Sequence, residues 1–151
     1  MKTGTTAGVQ EWLDCLVAIE PVAGHDGRSG ARIERGVLDT GRRVVIKWSD
    51  PRTDLTACID LEAEGRELRL WESGVLNRLP AGVSHAILAA GRVGHEIVTV
   101  MRDFSPHVLS WQDRLTLPEL RRLFAAVASM HQAFRGRGSR QTSALPAQMR
   151  C

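Results

Sequence analysis

Two strand-like segments with four residues between them constrain this chain more than any other feature. Arg32–Leu38 and Arg43–Trp48 both carry runs of apolar and β-branched residues, and Asp39-Thr40-Gly41 between them is a turn signal. A connection that short joins antiparallel neighbours, because a parallel return needs a crossover of about a dozen residues or more. Upstream, Leu16–Val22 reads as a further strand, followed by the glycine-rich stretch Gly24-His25-Asp26-Gly27-Arg28-Ser29-Gly30. Strand, glycine loop, strand, turn and strand in that order describe an antiparallel meander. In the last strand, alternation puts Val44, Ile46 and Trp48 on one face and Val45 and Lys47 on the other.

The remaining elements follow from periodicity. Val9, Trp12, Leu13 and Leu16 recur at helical spacing and predict a short N-terminal helix. A second helix is expected over 60–76, with Leu61, Leu68, Trp71 and Val75 on one stripe. Ala86–Ala90 and Glu96–Met101 predict two more strands, joined by a turn around Gly91–Gly94. A last helix is expected over 118–134. Thr116 and Glu119 have capping-box spacing before it, and Leu120, Leu123, Phe124, Val127, His131 and Phe134 lean to one face. His131 is expected to be packed on that face. The stretch after Phe134 has no apolar periodicity and reads as a disordered basic tail. The expected fold class is therefore α+β, with a mostly antiparallel sheet of five strands.

Charge argues against a nucleic-acid binder. The net charge is +3, but four arginines follow Phe134 with no acid among them, and the rest of the chain holds 16 basic residues against 17 acidic ones. The positive charge belongs to the tail, not to a binding face. The three cysteines, Cys15, Cys58 and Cys151, share no metal-type spacing. No apolar run is long enough for a membrane span and no secretory signal is recognisable, so a cytoplasmic location is expected. Lysine usage is more informative: Lys2 and Lys47 are the only lysines, and every other side-chain cation of this kind is arginine. A mobile ammonium and a planar guanidinium are not interchangeable, which singles out Lys47.

Holding nucleotide phosphates takes small residues that let backbone N–H groups approach, a cation for the α/β oxygens, and a carboxylate to orient that cation. All three are present in order. Gly27, Ser29 and Gly30 are the phosphate-facing candidates of the glycine loop, although the same stretch would also suit an ordinary β-turn. Lys47 closes Val44-Val45-Ile46-Lys47, which has the form of the V-A-I-K strand motif. Glu64 and Glu67 both lie on the following helix, and Glu67 is the preferred partner.

At this point the residues resemble a family. GRSGARIERGVL followed by GRRVVIKW resembles the start of the aminoglycoside phosphotransferase-like family, which shares the protein-kinase-like fold. EGRELRLWESGVLNRLP is similar to its helix after the third strand, IVTVMRDFSP to the last small-lobe strand and the linker under the adenine, and LPELRRLFAAVASMHQAF to the first long helix of the large lobe. The likeness runs from about Val22 to Phe134. It implies a small lobe over 1–103, a linker and first large-lobe helix over 104–134, and the tail over 135–151. It also implies ATP as cofactor, with Lys47 on the α/β oxygens and Glu67 orienting it. Val100, Met101 and Arg102 would border the adenine, with Asp103 as a linker residue.

The chain departs from that family in one respect. A phosphotransferase also needs a base Asp, in a loop resembling H-G-D-x-x-x-x-N, and an Asn and Asp that hold Mg²⁺. No Asp, Glu, Asn or His follows His131. The resemblance therefore implies a truncated phosphotransferase, inactive alone, that keeps the nucleotide-binding lobe. The alternative is a non-catalytic kinase-like docking module. Either would expose an apolar lobe face suited to self-association or a partner.

Overall fold

The computed structural model describes residues 6–22, 30–53, 65–109 and 112–135. The fold is α+β. Strands β1 (Leu16–Pro21), β2 (Arg32–Leu38), β3 (Arg43–Ser49), β4 (Ile87–Val93) and β5 (Glu96–Arg102) form one antiparallel sheet in the order β1-β2-β3-β5-β4. Helix α1 (Thr6–Asp14) precedes the sheet, α2 (Arg66–Glu72) lies between β3 and β4, and α3 (Leu117–Phe134) follows it. The meander is β1–β2–β3, as the turn chemistry predicts: Gly41 takes a φ of +76° and its N–H donates to the Leu38 carbonyl at 2.8 Å.

The sheet is covered on both faces, and the alternation along β3 decides which residue goes where. Val44 and Ile46 are fully buried with Val98, Val100, Ala89 and Leu38, beneath Val9 of α1 and the half-buried Trp12 and Leu13. On the opposite face Leu68 and Trp71 of α2 pack over Ala90, Ile97 and Ile87. Strand β5, fourth in the sheet order, feels both layers, so the four consecutive residues Ile97–Val100 are buried. A strand covered on both sides reads as a continuous apolar run rather than an alternating one.

Two expected boundaries move. The helix expected over 60–76 ends at Glu72 among the described residues, and Val75–Arg78 form a separate 3-10 turn. The stop is local: Gly74 sits at φ +65° and donates to the Trp71 carbonyl at 3.1 Å, a left-handed exit that glycine adopts without a Cβ penalty. The turn expected around Gly91–Gly94 shrinks to Gly94 and His95, with Gly94 at φ +60°, while Gly91 stays in β4 opposite Val98.

The chain divides into two compact units, one built from Met1–Arg78 and His85–Leu109, the other from Leu79–Ser84 and Ser110–Cys151. The first contains the sheet with α1 and α2. The second contains α3, whose start is fixed as the sequence predicts: the Glu119 carboxylate accepts the Thr116 backbone N–H and hydroxyl, each at 2.7 Å. His131 is exposed rather than packed, because α3 buries none of its residues. Among the described residues, no helix is long and apolar enough to cross a membrane.

Gly65, just before α2, is held at φ +76°, and a Cβ there would lie 2.0 Å from Ile97 Cδ1. Gly65→Ala is therefore expected to cost about 2 kcal/mol or more through strain plus a core clash. Gly41→Ala shares the same φ but meets nothing within 4 Å, so it should cost only about 1 kcal/mol. Urea denaturation of the two variants measures the difference.

Candidate functional site

Lys47 lies near the end of β3, opposite Ile33 of β2 and Thr99 of β5. Its parity puts it on the α2 side of the sheet. Helix α2 is anchored there by the buried Leu68, which brings the preceding residue, Glu67, to the rim of the helix–sheet contact. Lys47 Nζ donates to Glu67 Oε1. The two side chains are 22% and 40% exposed. A pair this open contributes at most about 1 kcal/mol to stability. Its main consequence is directional: it holds a single ammonium at one point above the sheet.

The end of the sheet carrying Lys47 is also where β1 and β2 are joined. Pro21 pairs with Glu34, Arg32 with Trp48 and Ile33 with Lys47, so the connection between these strands emerges beside the lysine. Gly30 is exposed there at φ +80°. Gly27 and Ser29 lie outside the described residues, as does Glu64.

The three β5 candidates are placed differently from one another. Met101 pairs with Val45 and so shares the Lys47 face. Val100 points the other way, into the core beneath α1, and is 1% exposed. The Arg102 backbone N–H donates to the Ala86 carbonyl at 2.9 Å, and its guanidinium donates to the His85 carbonyl at 2.6 Å. The site face therefore brings together Lys47, Glu67 and Met101, while Val100 reaches it only through its backbone.

Helix α2 covers the β4–β5 half of this face. On the β1–β3 half a cavity of about 330 Å³ opens, lined by Ala18, Ile19, Glu20, Arg35, Val37 and Arg43. Beside it lies an ionic group that no single sequence motif announces. Arg35 Nη1 donates to Glu20 Oε1 at 3.3 Å and Arg35 Nη2 to Ser105 Oγ at 3.2 Å. The Asp103 carboxylate lies 3.6 Å from Arg35 Nε and 3.9 Å from Arg43 Nε. It also accepts the Ser105 backbone N–H at 2.9 Å and the Ser105 hydroxyl. Asp103, one residue beyond β5, is thus held from both sides, and its side chain is 7% exposed. The signal available was parity: Arg35, Arg43 and Lys47 all fall on one face of the meander.

Among the described residues, no group of three or more His, Cys, Asp or Glu side chains is arranged to hold a metal ion. No known protein-family model matches the sequence, and no curated protein sequence does either.

The Ser105 hydroxyl and backbone N–H, aided by Arg35 and Arg43, hold the Asp103 carboxyl below its ordinary value of 3.8. A carboxyl depressed in the folded state stabilises above its unfolded pKa, and that stabilisation is lost as pH falls through the folded value. Asp103→Asn should therefore lower the melting temperature at neutral pH and flatten its fall below about pH 4. Asp50, held at about 2 chiefly by Arg52, titrates in the same acid window in both proteins. The difference between the two melting profiles, recorded by circular dichroism against pH, isolates Asp103.

Proposed function

We propose that the five-stranded unit is the nucleotide-binding lobe of a kinase-like small-molecule phosphotransferase, resembling the aminoglycoside phosphotransferase type, with ATP as its ligand. The observation that carries this reading is the Lys47–Glu67 pair between a strand lysine and a helix glutamate. In phosphoryl-transfer proteins of the kinase type such a pair points an ammonium at the α/β-phosphate oxygens. The chain's isolated lysine and the glutamate preferred for it are those that meet.

The surroundings support the same assignment. A ligand's phosphates at Lys47 would lie at the end of the sheet where β1 and β2 are connected, near the exposed Gly30. Its base would lie along the open half of the face, over Val45 and Met101, in the direction of Arg43. Glu67 orients the lysine and is given no chemical step. Residues 132–151 contain no Asp, Glu, Asn or His, so that stretch offers no base and no Mg²⁺ ligand. We therefore assign nucleotide binding, not transfer, to the residues at hand.

A thermal-shift titration with Mg-ATP tests this. A ligand specific for the folded state, present at about 100 times its dissociation constant, adds about 2.7 kcal/mol of stability. Wild type should shift upward, and Lys47→Ala and Glu67→Gln should lose most of the shift while melting near the wild-type temperature without ligand. A cooperative melt that ATP leaves unmoved would sink the reading.

One observation favours the second reading, a docking module. Along α3, Leu117, Leu123, Phe124, Val127 and Met130 are all exposed, Phe124 at 66%. Such a row is suited to self-association or to a partner. Light scattering after size exclusion should then show a concentration-dependent oligomer that Phe124→Glu returns to monomer. A wild type that stays monomeric at high micromolar concentration would exclude self-association through α3.

A further inference from the structure

We propose that Asp103 is a positioning residue of the nucleotide site: it docks the chain leaving β5 against β2 and β3, making the wall on which the base rests. This inference depends on the reading of Lys47 as the phosphate-holding cation.

An aspartate one residue beyond a strand is ordinarily solvated, yet Asp103 is 7% exposed. Its oxygens are divided between two tasks. One accepts the Ser105 backbone N–H and hydroxyl, which bends the exiting chain into a tight turn. The other lies between the Nε atoms of Arg35 and Arg43, which belong to neighbouring strands. Arg35 closes the loop by donating to Ser105 Oγ, and a further arm reaches Glu20 on β1. Two strands and the exit segment are thus joined through one carboxylate, and β1 is tied in through Arg35.

The location decides what that joint is for. Arg35 pairs with Val45, and Arg43 lies two residues before Val45 on the same face as Lys47. At about 3.3 Å per residue, Arg43 sits about 13 Å along β3 from Lys47. A nucleoside triphosphate held at Lys47 by its phosphates would bring its base toward this end of the open strip. Hydrogen bonds to an ionised carboxylate are among the stronger ones a protein makes. Loosening this joint is therefore enough to unfix the wall without touching the Lys47–Glu67 pair.

The test separates base from phosphate. Dissociation constants for Mg-ATP and for Mg-tripolyphosphate, which has no base, are measured by calorimetry on wild type, Asp103→Asn, Arg43→Ala and Lys47→Ala. The full 151-residue chain is used throughout. Asp103→Asn should weaken ATP about tenfold, the equivalent of about 1.4 kcal/mol, and leave tripolyphosphate unchanged. Lys47→Ala should weaken both. Arg43→Ala keeps the question decidable if Asp103→Asn does not fold: Arg43 is 66% exposed, and its loss should weaken ATP alone. Unchanged ATP affinity in a folded Asp103→Asn or Arg43→Ala protein would overturn the assignment, as would equal losses for both ligands. A wild type that binds neither ligand would instead overturn the nucleotide reading itself, and the role of Asp103 with it.

Discussion

The pairing of β3 with β5 is the contact on which the rest of the structure depends. It joins the meander β1–β2–β3 to the hairpin β4–β5, which are otherwise separate in sequence. Its register, Lys47 opposite Thr99 and Val45 opposite Met101, decides which residues share the site face. A slip of one residue would turn Lys47 into the core under α1 and expose Ile46, which is fully buried. That cost in buried apolar surface fixes the register, so the core on one face sets the position of the lysine on the other.

Much of this was legible because strand alternation is a local property. The parity of Val44, Ile46 and Trp48 against Val45 and Lys47 follows from the order of residues, and the structure repeats it. The capping box at Thr116 and Glu119 is local as well. Features that depend on register were harder to read. Alternation alone puts Val100 and Met101 on opposite faces, but only the pairing with Ile46 and Val45 shows that Met101 is the one sharing the Lys47 face. Asp103 carries no signal by itself, because its partners Arg35 and Arg43 are brought to it by two different ladders. Gly91 and Gly94 look alike in sequence, and only backbone geometry separates the strand residue from the turn residue. The His131 expectation failed for another reason: an apolar helical stripe predicts a contact surface, but not that the contact is made.

The chemistry of the site follows from a division of labour between the two faces. The α1 face is mostly apolar and is closed over β3, β4 and β5. Among the described residues, the α2 face is covered over β4 and β5 and open over β1 to β3, where Lys47, Arg35 and Arg43 project beside Val45, Val37 and Ala18. An ammonium at one end and an ionic joint at the other give this strip a polarity. The nucleotide proposed as ligand has the same two-ended character, with a charged end and a flat, largely apolar end.

The long-range nature of the β3–β5 ladder also bears on the order in which the molecule is assembled. The hairpins β2–β3 and β4–β5 are closed by short turns and can form early, whereas joining them requires a much larger loop to close before any contact rewards it. Helix α2 belongs to that intervening stretch, and its Leu68 finds its pocket over Ala90 and Ile97 only when the second hairpin is in place. The contacts that seat Glu67 beside Lys47 therefore depend on the joined sheet rather than on either hairpin alone. The ion pair becomes a report on completion: chains caught with both hairpins formed but not yet joined would have a lysine, a glutamate and no site.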